Sequence, residues 1–377
     1  MAKTDSGGQT PAPIKLSGQP APSTTANYQL LIINCQLQTI HWNILFRYYF
    51  HKKTILLYQA LKIYVRIGMK IFCRRIIVNK PQCLQLKGPL LLACNHPNSF
   101  LDAIILDIIF DQPIWSLARG DVFKNAFYTR LLTAVKIMPV YRTSEGAENL
   151  LENYKTFDAC YSIFKANGLV QIFSEGKCIN EWHLRPLKKG TARLAFSSWE
   201  KNIPLKILPV GINYSSFRKF GKNIFINFGD IISAEQFSIT ETDGKRNQAF
   251  NEVLRDQLNQ LVIEIRQDDF NGQKEILSIQ PSLIEKVLLA IPAAIGFIVH
   301  APLYLPIKKF VWKRCNHNDH FDSVLAALLL VAYPLYMLMI VIIALIFTKS
   351  PWSLFLFLIF PFTAWSFVQL NRQTGKV

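Results

Sequence analysis

Three long apolar runs close this chain, Val287–Ile307, Val324–Phe347 and Trp352–Leu370, and they limit its fold more than any other feature. Each is long enough to cross about 30 Å of hydrocarbon as a helix. The first holds Pro292, Gly296, Pro302 and Pro306, which predicts a bent or broken helix. It is followed by the basic stretch Lys308, Lys309, Lys313 and Arg314, and the last run is followed by Arg372 and Lys376. Basic flanks prefer the cytoplasmic side. Both can lie there if Val287–Ile307 enters and returns while the next two runs form a transmembrane hairpin. Residues 281–377 are thus expected to be a membrane domain.

The rest of the chain carries most of a formal charge of +17. Such a balance suits nucleic acid, a membrane surface or phosphorylated substrates. No nucleic-acid-binding module is recognisable, and the apolar tail favours membrane. Residues 1–53 are expected to be disordered or to reflect a doubtful start. Their first half is rich in Gly, Pro, Ser, Thr and Gln. From residue 54 to 79 basic residues recur at Lys62, Arg66, Lys70 and Arg74, with Arg75 beside them. That pattern predicts an amphipathic helix lying on anionic membrane lipid. Its plainer alternative is a surface helix packed on the next domain. Seven scattered cysteines fit a reducing compartment better than a disulfide framework.

Between residues 80 and 280 short apolar runs alternate with helical patterns. Strands are expected at Leu90–Cys94, Ile114–Leu117, Val135–Tyr141, Leu169–Phe173, Lys206–Val210 and Ile224–Phe228, with helices between them. This alternation predicts an α/β domain with a central sheet and flanking helices. Pro209, inside one of these strands, argues for a sheet edge or a strand end.

The chemistry concentrates at Asn95-His96-Pro97-Asn98-Ser99-Phe100-Leu101-Asp102, just after the first of these strands. A carboxylate that orients a neutral imidazole makes a general base for a hydroxyl proton. On one helix the pair would not stack, so a loop at His96 must run into a helix near Asp102. The bland alternative is a structural histidine beside a capping Asp. Three further segments stand out: Lys136–Arg142, ending in a planar cation; Phe173-Ser174-Glu175-Gly176-Lys177, with a glycine suited to a sharp turn; and Ile207–Tyr214, an apolar strand. Arg185 and Lys188 lie in a basic loop leading into a helix. Cys315, His317, Asp319, His320 and Asp322 cluster in sequence, but match no common zinc signature. They are read as a polar loop between membrane segments, with no metal expected.

Taken in order, these segments resemble the four motifs of the glycerophospholipid acyltransferases, which act on 1-acylglycerol 3-phosphate or glycerol 3-phosphate. The resemblance implies that His96 and Asp102 are catalytic, and that Arg142, Glu175 and Gly176 hold the acceptor. Arg185 and Lys188 follow as further phosphate contacts. It implies a thioester donor, acyl-CoA or acyl carrier protein, and no other cofactor. The acceptor expected first is 1-acylglycerol 3-phosphate, with glycerol 3-phosphate or another lyso-lipid as alternatives. The active domain is then expected on the cytoplasmic side of the membrane. The chain departs from the common pattern in three places. The spacer between His96 and Asp102 is one residue longer, an early glycine of the second motif is missing, and Ser174 and Lys177 replace Pro and Thr in the third. The altered spacer and the substituted third motif keep a catalytically inactive lipid-binding scaffold among the alternatives, and a hydrolase using water in place of the alcohol is a further one.

Overall fold

The computed structural model describes residues 56–123, 125–141, 147–237 and 242–371. The expectation for residues 1–53 lies outside them. The described residues from Tyr58 onward form one compact unit.

The first helix, α1, covers residues 56–72. It ends sooner than the basic spacing suggests, because Cys73–Val78 is a strand, β1. The β-branched run Ile76, Ile77, Val78 favours that outcome. Arg74 and Arg75 thus belong to the sheet edge and not to the amphipathic helix. Two of the remaining cations reach back to the domain. Arg66 Nε donates to Ile108 O at 2.8 Å and Lys62 Nζ to Phe110 O at 2.9 Å. Both cap the C-terminal carbonyls of α2 (Phe100–Ile109), where the helix dipole favours positive charge. The outward side of α1 is instead apolar, with Ile63 and Ile67 each more than half exposed.

The sheet has seven strands in the order β1-β7-β6-β2-β5-β3-β4. They are β2 (Leu90–Cys94), β3 (Ile114–Arg119), β4 (Ile137–Val140), β5 (Leu169–Phe173), β6 (Lys206–Tyr214) and β7 (Lys222–Phe228), besides β1. All neighbours are parallel except the antiparallel pair β6–β7. Parallel strands need cover on both faces. One face carries α1, α2 and residues of the C-terminal helices; the other carries α4 (Ala147–Lys165), α5 (Gly190–Glu200) and α6 (Asp243–Leu261). β2 lies at the centre with all five residues buried, which is why it reads as an unbroken apolar run. The remaining helices are α3 (Ala126–Ala134) and α7 (Phe270–Leu277).

Pro209 corrects the expectation of an edge strand. β6 is flanked by β2 and β7. The carbonyl of Pro209 accepts from Gly229 N at 3.0 Å, so the missing N–H also faces the β7 side. There the β6–β7 ladder starts only at Val210 opposite Phe228, so the one bond proline cannot make falls at the end of that ladder, where Lys80 Nζ donates to Gly229 O instead.

The C-terminal region is α8 (Leu283–Cys315), α9 (Phe321–Thr348) and α10 (Leu356–Leu370). Three helical segments here, Leu283–Cys315, Phe321–Thr348 and Pro351–Leu370, are long and apolar enough to cross a membrane. The expected return of Val287–Ile307 is not seen: the run is part of one continuous helix of 33 residues with its prolines inside. Side chains serve the backbone of that stretch, as Tyr336 OH donates to Val299 O at 2.7 Å and His300 Nδ1 meets Gly296 O at 2.7 Å. At Gly296 any side chain would meet the backbone of α10, with Thr363 O only 2.2 Å from an added Cβ.

Candidate active site

The carboxyl ends of β6, β2 and β5 lie side by side, and the motif residues follow directly from them. Asn95 leaves β2 and its amide pairs with both backbone groups of Ile212, at 2.7 and 3.0 Å, which extends the β2–β6 ladder by side chain. His96 is next. Its backbone N–H donates to Glu175 Oε2 at 3.0 Å, and its ring stacks on Phe173, 3.9 Å between centroids.

His96 Nδ1 lies 2.8 Å from Asp102 Oδ2. The long spacer is absorbed by a tight turn. Ser99 takes φ 54°, a left-handed value that side chains rarely adopt, and α2 begins at Phe100. Asp102 then sits in the first helical turn, where a carboxylate is favoured. It reaches back to accept the Asn98 N–H at 2.8 Å, much as a residue in a capping box does. Its other oxygen accepts from Tyr214 OH at 2.7 Å. Asp102 is fully buried while the His96 side chain keeps 17% exposure, so the orienting acid is sealed and the imidazole remains reachable. A proton on Nδ1, the nitrogen facing Asp102, leaves the lone pair on Nε2.

Glu175 is 4% exposed and is held by two backbone donors, His96 N and Arg185 N, both at 3.0 Å. Burial raises its proton affinity above the ordinary glutamate value, and these two hydrogen bonds, with the nearby His96, oppose the rise in part. Gly176 has φ 68°, the sharp turn expected of it, and Lys188 Cγ lies 3.1 Å from where its Cβ would stand. Lys188 is exposed there, while its backbone N–H holds Ser174 O at 2.7 Å. Arg185 spends its guanidinium on Glu181, at 2.9 Å.

Thus His96, Asp102, Glu175, Gly176, Arg185 and Lys188 are brought into one neighbourhood. Arg142 lies outside the described residues. Tyr214 and Phe173 hold the pair but were not singled out from sequence. Tyr214 stands 112 positions from Asp102, and a tyrosine ending an apolar strand gives no sign of where its hydroxyl goes. Burial pushes the Tyr214 hydroxyl well above the ordinary range, and the adjacent Asp102 charge adds to this. It is a donor here and not an acid.

Comparison with known proteins finds likeness of three kinds. Residues 75–213 match the family model described as Acyltransferase. The chain is 23% identical over 177 residues to the Saccharomyces cerevisiae protein "Glycerol-3-phosphate O-acyltransferase 2"; the match covers 46% of this chain and 22% of that protein. The crystal structure of the 1-acyl-sn-glycerophosphate acyltransferase PlsC from Thermotoga maritima superposes with a TM-score of 0.37 at 14% identity, covering 55% of this chain and 81% of that one.

Proposed function

We propose, from the premise that residues 75–213 are an acyltransferase-family domain, that this chain moves a fatty acyl group from a thioester to a hydroxyl of a phosphorylated glycerol. The observation that carries the reading is the His96–Asp102 pair, 2.8 Å apart, with the acid sealed and the base reachable.

Nε2 of His96 takes the proton of the acceptor hydroxyl as its oxygen attacks the thioester carbonyl. The tetrahedral adduct collapses, the C–S bond breaks, and the imidazolium returns its proton to the leaving thiolate. Asp102 stays ionised throughout and holds the ring. General-base help of this kind contributes about 10²- to 10⁴-fold. Arg142, Lys188 and Arg185 are the cations assigned to the acceptor phosphate, and Gly176 lets that phosphate approach the backbone. Arg185 must exchange Glu181 for the phosphate to take part. The scheme uses no cofactor beyond the donor, acyl-CoA or acyl carrier protein. The apolar helices support action at a membrane, with the active domain on the cytoplasmic side, where thioesters are found.

The acceptor of this proposal is 1-acylglycerol 3-phosphate. Similarity to the yeast glycerol-3-phosphate acyltransferase supports a second reading, unacylated glycerol 3-phosphate. Purified full-length chain with acyl-CoA and each acceptor in turn separates them, with His96→Ala as control. The expected result is His96-dependent thiol release matched by acyl-lipid. Thiol release without acyl-lipid would mean hydrolysis, and no turnover with any acceptor would leave a lipid-binding scaffold.

A further inference from the structure

The turn that carries the catalytic pair is held from outside the acyltransferase domain. Asn98 lies between His96 and Asp102, and its three polar links are divided. Its backbone N–H goes to Asp102 Oδ2. Its side-chain amide donates to Asp322 Oδ2 at 2.9 Å, and its carbonyl accepts from Ser323 Oγ at 3.1 Å. Ser323 Oγ also accepts from Leu101 N at 3.2 Å. Asp322 and Ser323 form the first turn of α9, more than 220 positions away.

Three further contacts brace the same turn. His320 Nδ1 meets Ser99 Oγ at 2.8 Å. Asp319 accepts from Asn180 N at 3.0 Å, and Asn180 Nδ2 donates to Pro97 O at 2.7 Å. So the polar cluster around residues 315–322 is a strap across the catalytic turn. Asp322 is also ion-paired with Lys222 of β7, and neither side chain is exposed. A residue at φ 54° such as Ser99 persists only where its surroundings over-determine it. The strap is that surrounding.

We propose that Asp322 and Ser323, in the first turn of an apolar helix, are positioning residues for the His96–Asp102 pair, so that acyl transfer requires the C-terminal helices to be docked on the domain. This rests on the reading of His96 as the base. The essential element is an acceptor atom at position 322 for the Asn98 amide, and the Lys222–Asp322 charge pair is replaceable. Removing one charge alone would leave the other buried and unpaired, which is strongly destabilising. The test therefore uses two double variants of equal charge in the full-length protein. Lys222→Met with Asp322→Asn keeps a carbonyl oxygen for Asn98; Lys222→Met with Asp322→Leu does not.

The Asn pair is expected to keep kcat within about threefold of wild type. The Leu pair is expected to lose about 10- to 100-fold in kcat against the Asn pair, with KM for acyl-CoA unchanged and the thermal midpoint modestly lower, the loss expected when one buried hydrogen bond goes. Ser323→Ala, a smaller change, is expected to lower kcat several-fold with KM unchanged. Equal kcat in both double variants, or wild-type kcat in the Leu pair and in Ser323→Ala, overturns the proposal. An independent readout is the imidazole Nδ1 proton resonance in histidine-labelled protein, assigned by its loss in His96→Ala. It should persist in the Asn pair and shift or vanish in the Leu pair. That signal needs no turnover. A chain without acyltransferase activity but with this pattern fails the functional reading alone, and unchanged resonances in all variants fail the positioning role alone.

Discussion

The sheet domain and the C-terminal helices bury opposite things. In the domain, β2 and its neighbours hide their aliphatic residues: Leu91, Leu92, Leu169 and Leu208 are fully buried. In α8–α10 the aliphatics face out, with Ile291 74% and Ile298 70% exposed. The polar groups there turn inward: Ser366 is buried on Phe362 O, and His300 lies against Gly296 O and Tyr333. The difference teaches what solvent each region is built for. An aliphatic surface repels water but costs nothing in lipid, where a polar group needs an internal partner. The first turn of α9 is where the two regimes meet, and there the buried groups are charged: Asp322 with Lys222.

Four tests probe this contrast, beginning with the strongest. His96→Ala should remove about 10²- to 10⁴-fold of acyl transfer, measured as acyl-lipid formed, and leave recovery in the membrane fraction unchanged. Loss of membrane recovery in that variant would mean that the two regions do not depend on separate groups. Next, an arginine placed on each surface should act unequally. Val331→Arg on the exposed side of α9 should cost about 2.5–3.5 kcal/mol of insertion. Gln260→Arg on the exposed side of α6 should stay within about 0.5 kcal/mol of folding stability. Alkaline extraction of membranes and thermal melts read the two. Equal effects would sink the assignment of α9 to lipid.

Tyr214→Phe should come third. It leaves one oxygen of a buried carboxylate without its donor, a loss of about 1–3 kcal/mol. The expected result is a lowered thermal midpoint and a lowered kcat, with the KM of the thioester unchanged. A change in KM alone would show that Tyr214 faces substrate and does not orient Asp102.

Which parts of this were legible in the sequence follows from how local their causes are. β2 and β5 read correctly to the residue because a buried parallel strand is an unbroken apolar run bounded by turn residues. The Asn95–Asp102 and Glu175–Gly176 segments were legible because a base and its acid are close in the chain. β1 was missed because its arginines continue a four-residue spacing that belongs to the helix before it. Pro209 misled because the rule for proline depends on which neighbour its missing N–H would face, and only the topology tells that. The prolines of α8 misled because what holds the run as one helix includes close packing against a distant segment, such as α10 at Gly296, which is not written beside them. Tyr214 and Asp322 were out of reach because each acts on the catalytic turn from more than 100 positions away.

The smallest effect is also the most diagnostic of the site's interior. Glu175 is buried, and burial raises its proton affinity despite two backbone donors. A group whose affinity is raised on folding contributes stability that is complete below its unfolded value, about pH 4.3, and is lost as pH rises through the folded value. Glu175→Gln resembles the protonated carboxyl and does not titrate. The midpoint of the wild type should therefore stand highest relative to Glu175→Gln in acid, and the gap should narrow as pH rises from about 4 toward neutrality. Paired melts across that range measure it. A gap that widens instead would mean that the His96 and Arg185 N–H groups outweigh burial, as they would if the ionised carboxylate were the form the turn is built around. In that case the pocket is polar enough to keep a full negative charge beside the base, and Glu175 would disfavour an anionic acceptor unless Lys188 and Arg142 more than balance it.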